Sequence, residues 1–153
     1  MENGYQNIYR LPRAAAGITQ ERAAELLGIS VKSLSNYETG VTIPPNDVVE
    51  RMVTVYNAQH LAYEHLRATN ALMGRVVPEL EERSLLETAV RIYNRLNRLE
   101  KKGGVDRLME IAEDDQISQE ERQEFDAIMA ELRQIVQSGL ELEVFCSTGK
   151  EEG

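Results

Sequence analysis

The stretch Thr19–Gly40, TQERAAELLGISVKSLSNYETG, decides how the chain is read. Thr19 can N-cap a helix, its hydroxyl taking one of the free N–H groups of the opening turn. Apolar residues then fall at Ala23, Ala24, Leu26 and Leu27, which helical spacing gathers on one face. Gly28 stops that helix, because a left-handed residue without a Cβ meets no clash there. Ser30 can cap a second helix, and Leu34 and Tyr37, three apart, give it a buried side. Two short helices around so tight a turn cannot lie side by side; they cross at a steep angle.

Spacing sharpens this reading. Ala24 has to be small, since the second helix passes close to it. Gly28 follows four residues later, and Leu34 and Tyr37 stand six and nine residues beyond the glycine. With TQE at its start, YE-x-G at its end and Pro44-Pro45 after it, the pattern resembles the lambda-repressor-like (XRE-type) helix-turn-helix family. Gln20, Ala24, Gly28, Ile29, Leu34, Tyr37, Glu38 and Gly40 carry the resemblance, which runs from about Ile8 to Leu66. It implies a five-helix DNA-binding domain and a sequence-specific transcriptional regulator whose partner is double-stranded DNA.

The second motif helix is then the recognition helix, sized for the major groove, where base edges carry a donor–acceptor code. Its outward positions are Val31, Lys32, Ser33, Ser35 and Asn36. Lys32 can donate to guanine O6 and N7, Asn36 can pair with adenine N6 and N7, and Val31 can touch a thymine methyl. The resemblance places base reading at these same three positions. Gln20, at the start of the preceding helix, is a phosphate candidate, as are Ser33, Ser35, Thr39 and the backbone of 40–42. The family also suggests a pairing of Arg13 with Glu38, joining the first helix to the end of the recognition helix. The competing reading is a scaffold whose polar residues are simply solvated.

Working outward, Ile8–Ala16 reads as a first helix with Ile8, Leu11 and Ala15 inward, beginning near Leu11 so that Pro12 sits in its first turn. Met1–Asn7 reads as a frayed leader. Beyond the motif, Asn46 caps a fourth helix carrying Val48, Val49, Met52, Val53 and Tyr56, and 58–71 a fifth with Leu61, Ala62 and Leu66 inward. His60 and His65, five apart, miss metal-ligand spacing and read as ordinary surface or half-buried residues. Together 8–72 form the expected DNA-binding domain, and Gly74–Pro78 a linker.

The second part, expected over 78–140, is a set of amphipathic helices. Leu85–Lys102 keeps heptad spacing at Leu85, Ala89, Ile92, Leu96 and Leu99. Gly103-Gly104 breaks it, and Val105–Ala112 is a short helix with Leu108, Met109 and Ile111. Ser118-Gln-Glu-Glu121 is a capping box for a helix striped by Phe125, Ile128, Met129, Leu132, Ile135 and Val136 and ended by Gly139. Leu140–Cys146 reads as a short extended segment and 147–153 as a disordered tail. Such a hairpin leaves apolar surface for a symmetric partner, and a homodimer is expected. Arg91, Arg95, Arg98 and Lys102 form a basic row, ordinarily a solvated face.

Composition restrains the function. The 153 residues hold 17 Lys+Arg against 26 Asp+Glu, a net −9, unusual for a nucleic-acid binder. Residues 1–66 carry five basic against seven acidic side chains, so DNA would meet only a small local positive patch. Acidity favours the alternative of a protein-interaction module, antitoxin-like or phage-borne, in which the helix-turn-helix binds another protein. The lone Cys146 suits a reducing cytoplasm. No membrane-length apolar run, signal-peptide core, metal-ligand cluster, Gly-rich phosphate loop or nucleophile–base set is present, so neither enzyme activity nor a cofactor is expected. The acidic run at 113–118 lacks the spacing and glycine of a calcium loop. No pattern suggests a small-molecule ligand.

Overall fold

In a computed structural model the chain is all-α, and the structure describes residues 5–147. Its helices are α1 (Tyr5–Ala15), α2 (Gln20–Leu27), α3 (Val31–Glu38), α4 (Asn46–Tyr56), α5 (His60–Thr69), α6 (Met73–Val76), α7 (Leu85–Lys101), α8 (Gly104–Ile111) and α9 (Arg122–Ser147). They fall into two compact units, the first reaching Leu80 and the second Glu81–Phe145.

The first unit closes over Tyr9, Ala23, Ala24, Leu27, Leu34, Val48, Val49, Met52, Val53, Tyr56, Ala58 and Leu61. Local chemistry sets its helix ends. Thr19 Oγ1 accepts from Arg22 N–H, and Gly28 turns left-handed (φ 67°) with its N–H on the carbonyls of Ala24 and Glu25. Several expectations need correction. α1 starts at Tyr5, so Pro12 lies inside it, buried, at the loss of one helical hydrogen bond. With that start the inner face is Ile8, Tyr9, Pro12 and Arg13, while Leu11 is 61 % exposed and Ala15 is also outward. Leu26 is exposed as well, on the far edge of α2. Pro45, not Asn46, occupies the N-cap of α4. The expected linker contains α6, and Arg67 Nη1 donates to the Val77 carbonyl at 2.6 Å.

Asn46 is drawn away from capping by a buried histidine. His65 Nε2 donates to Asn46 Oδ1 (2.9 Å) and Nδ1 accepts from the Tyr9 hydroxyl (2.8 Å), linking α5 to α4 and α1. This is the neutral imidazole with both nitrogens satisfied. His65 is therefore a buried core residue, not a surface one.

A second polar contact holds α3. Arg13 of α1 and Glu38 at the last turn of α3 form a two-pronged pair, Nε–Oε1 2.5 Å and Nη2–Oε2 3.0 Å, with Arg13 Nη1 on the Ile18 carbonyl at 2.7 Å. Glu38 is 4 % exposed.

In the second unit, α7 opens on a capping box, with Glu87 N–H on Ser84 Oγ and Ser84 N–H on the Glu87 carboxylate. These bonds hold the Glu87 carboxyl below its usual range. Leu99, Ile111 and Ile128 form the small core, backed by Leu108, Ile117, Phe125, Leu132 and Ile135. Ser118 and Glu121 make reciprocal cap bonds before α9. Gly139 does not end that helix, which continues to Ser147, so the extended segment expected at 140–146 is helical. A glycine costs a helix about 1 kcal/mol but stops it only where a left-handed turn follows. The expected tail beyond Ser147 lies outside the described residues. The heptad face is also rotated: Thr88, Arg95 and Leu99 are buried, whereas Leu85, Ala89 and Leu96 are exposed, as are Met109 and Val136.

Two tests follow from the polar contacts of the first unit. Free histidine titrates near pH 6.5, and burial holds His65 below that. Above about pH 6.5 neither state binds the proton; as pH falls the unfolded chain protonates first, so stability declines until pH passes the folded-state value. Urea unfolding at stepped pH should show this loss, and His65→Gln should remove that component. Separately, Glu38→Ala strands a buried guanidinium and is expected to lower unfolding free energy by about 3–5 kcal/mol. A loss under about 1 kcal/mol would mean the pair behaves as an exposed one.

Candidate nucleic-acid interface

The candidate surface is the outer face of α3, presented by the turn between α2 and α3. Ile29 N–H bonds the Ala24 carbonyl at 3.0 Å, closing the turn begun by Gly28. Ser30 then caps α3, its Oγ accepting from Ser33 N–H at 3.0 Å. Leu34 and Glu38 face inward, so one turn of helix geometry sends Lys32 and Asn36, four apart, to the opposite side. Lys32 is exposed and Asn36 half-buried; neither side chain makes a hydrogen bond or ion pair among the described residues. Val31 stands beside them, 40 % exposed. A donor-rich pair flanked by a small apolar residue is chemistry that base edges can answer.

The phosphate candidates differ in what they have left to give. A phosphate oxygen only accepts, so it needs a free donor. Gln20 Nε2 donates to Glu38 Oε2 at 2.9 Å, which ties the start of α2 to the Arg13–Glu38 pair and leaves one amide N–H over. Ser33 Oγ lies 2.8 Å from Ser30 Oγ within the cap. Thr39 Oγ1 donates to the Ser35 carbonyl at 2.7 Å. The N–H groups of Gly40, Val41 and Thr42 turn back onto carbonyls of Tyr37 and Asn36, finishing α3. The Ser35 hydroxyl makes no hydrogen bond among the described residues. These internal bonds are long-range or cap-specific, and only the Ser30–Ser33 link had a local signal in the sequence.

Cations nearby are mostly spent. Arg22 pairs with Glu25, and Arg51 bonds both Asp47 and the Leu27 carbonyl, the latter satisfying the C-terminus of α2. The hydrogen bond to Glu38 raises the Arg13 pKa, fixing its charge. Burial, reinforced by Glu38, pushes the Tyr56 hydroxyl up to about 12. Lys32 is thus an exposed positive charge on the outer face of α3, unpaired among the described residues. Among the described residues no His/Cys/Asp/Glu group could hold a metal ion, and no helix is long and apolar enough to cross a membrane.

A family model described as a helix-turn-helix domain matches residues 10–66. No curated protein and no solved structure matches the chain. The match runs from the second half of α1 to most of α5, including both caps, the left-handed Gly28 and the Arg13–Glu38 pair. Over residues 10–66 the chain is similar to a helix-turn-helix domain.

Proposed function

We propose that this protein is a cytoplasmic, sequence-specific DNA-binding repressor that reads the major groove with α3. The observation that carries the reading is the outward Lys32–Asn36 pair, capped in place and free of internal bonds. Lys32 and Asn36 read bases and Val31 meets a thymine methyl. Ser35 and the remaining Gln20 N–H hold phosphates; Ser33 and Thr39 join them only by releasing their internal bonds. Repression is the simplest consequence of such occupancy.

Two half-sites one helical turn apart, about 34 Å, call for two copies of the domain. We infer that the second unit supplies the pairing. Leu85, Leu86, Val90, Tyr93 and Leu96 make a continuous apolar stripe along the outside of α7, with Leu86 73 % and Tyr93 67 % exposed. Roughly 500 Å² of apolar surface on one helix is near the upper end of what monomers leave open. Charge selects the orientation. Glu87 lies in the first turn and Arg98 and Lys101 in the last, so antiparallel packing about Tyr93 joins unlike ends.

Selection of bound duplexes from a random pool tests the whole reading, with a palindromic site the expected product. On that site Lys32→Ala and Asn36→Ala should each cost about 1–3 kcal/mol and relax preference at one position. Unchanged affinity and preference in both would remove α3 from the interface. For the pairing surface, Leu86→Glu with Tyr93→Glu should give monomers by sedimentation while leaving helicity unchanged. A wild-type monomer, or a variant still dimeric, would put the pairing elsewhere. Enrichment of no DNA at all would turn attention to a protein partner for the domain.

A further inference from the structure

The basic row of α7 is a solvated face only in part: Arg98 and Lys102 are exposed, whereas Arg95 is buried and Arg91 half-buried. Arg91, Asn94, Arg95 and Arg98 of α7 line, with Gln134 of α9, a cleft of about 240 Å³. Arg95 is only 9 % exposed, and its Nη1 donates to two neutral acceptors, the Gln134 carbonyl and Ser138 Oγ. Arg91 makes no hydrogen bond or ion pair among the described residues, and its Nε is buried without an acceptor. Arg98 reaches only Glu131, at 3.7 Å, and shares it with Lys102 at 3.2 Å. Glu141, the buried carboxylate that acts on Arg95, takes the Glu81 N–H at 3.2 Å and faces Arg83 at 3.9 Å.

Desolvating a guanidinium beside two others is unfavourable unless an anion answers it. Burial and the neighbouring Arg91 and Arg98 accordingly lower the Arg95 pKa. The chain holds 26 acidic residues, yet among the described residues no carboxylate forms an ion pair with Arg91 or Arg95. Guanidinium forks match oxyanions two bonds at a time, and the Asn94 and Gln134 amides bring further N–H donors. The cleft is polar, small and short of one negative group. We propose that it binds a phosphate group, free or carried on a small metabolite, as a ligand of the second unit. The proposal is independent of whether α3 reads DNA.

Inorganic phosphate, titrated into the full chain against chloride at matched ionic strength, is the first probe, with calorimetry and thermal unfolding as readouts. Saturable binding and a saturating rise in unfolding temperature are expected. Arg91→Gln, at a position whose side chain holds no other element, should weaken binding at least about tenfold while folding normally. Arg122→Gln at the start of α9 should leave it unchanged. Adenosine monophosphate and glucose 6-phosphate, run alongside, separate the sources: tighter binding of either than of phosphate assigns the group to a carrier, and equal binding assigns it to the free ion. A non-saturating rise shared by wild type and Arg91→Gln would be a general salt effect and would overturn the site. So would an Arg91→Gln variant that loses duplex affinity but keeps phosphate binding, since the row would then be a DNA-backbone contact.

Discussion

The geometry of α3 depends on one buried ion pair. α3 is eight residues long, far below the length at which a helix is stable by itself in water. Leu34 anchors its middle in the core and Tyr37 packs beside it, but both lie on one side of a helix of two turns and leave its far end loosely specified. Glu38 removes that freedom. Its two oxygens accept from Arg13 on α1 and from Gln20 on α2, so the end of α3 is fixed to both preceding helices. At the other end, the Ser30 cap and the left-handed Gly28 fix where α3 begins. With both ends set, Lys32 and Asn36 have only one direction in which to point. A buried pair of this kind adds little net stability over an apolar replacement; what it supplies here is orientation, which an apolar contact could not.

The second unit inverts the usual allocation of residues. Along α7, Arg95 and Thr88 are buried while Leu86, Val90 and Tyr93 are exposed. A monomer gains nothing from that arrangement, because the apolar stripe stays hydrated and the arginines are desolvated. It becomes intelligible if each face answers to something outside the chain, the stripe to a second copy and the arginine cleft to an anion. Both faces belong to one rigid helix, so a ligand in the cleft and a partner on the stripe would be two turns of α7 apart or less. An anion that stiffened the α7–α9 contact would thereby reach the pairing surface without any change in the first unit.

What the sequence disclosed, and what it hid, divides along the range of the interactions. Thr19, Ser30, Gly28 and the Ser118–Glu121 box act within four residues of themselves, and each was legible as a local signal. Ser84–Glu87 is the same kind of signal and was equally available. Asn46 looked like a cap for the same local reason, and was taken instead by His65, 19 residues away, whose buried imidazole had a greater need for an acceptor. Gln20 was legible as a helix-start residue, but not as a partner of Glu38. The face of α7 was ambiguous for a different reason. Apolar residues occupy two adjoining stripes of that helix, and periodicity reports their angles without saying which stripe meets α9. Pro12 and Gly139 marked breaks that tertiary packing overrode, since neither residue forbids a helix outright.

The acidity of the chain, an objection when only the sequence is considered, reads differently once the ion pairs are placed. Non-specific affinity for DNA comes from cations free to displace counterions at the phosphates. In the helix-turn-helix unit Arg13, Arg22 and Arg51 are engaged internally, and Arg10 and Lys32 remain exposed, Lys32 on the outer face of α3. A domain so built gains little from any random duplex. Under the proposed function its affinity comes from groove contacts, which exist only on the right sequence, and from pairing two such domains on one site. On that proposal excess negative charge acts as a filter: it weakens every complex, but the non-specific ones have no base contacts to offset it.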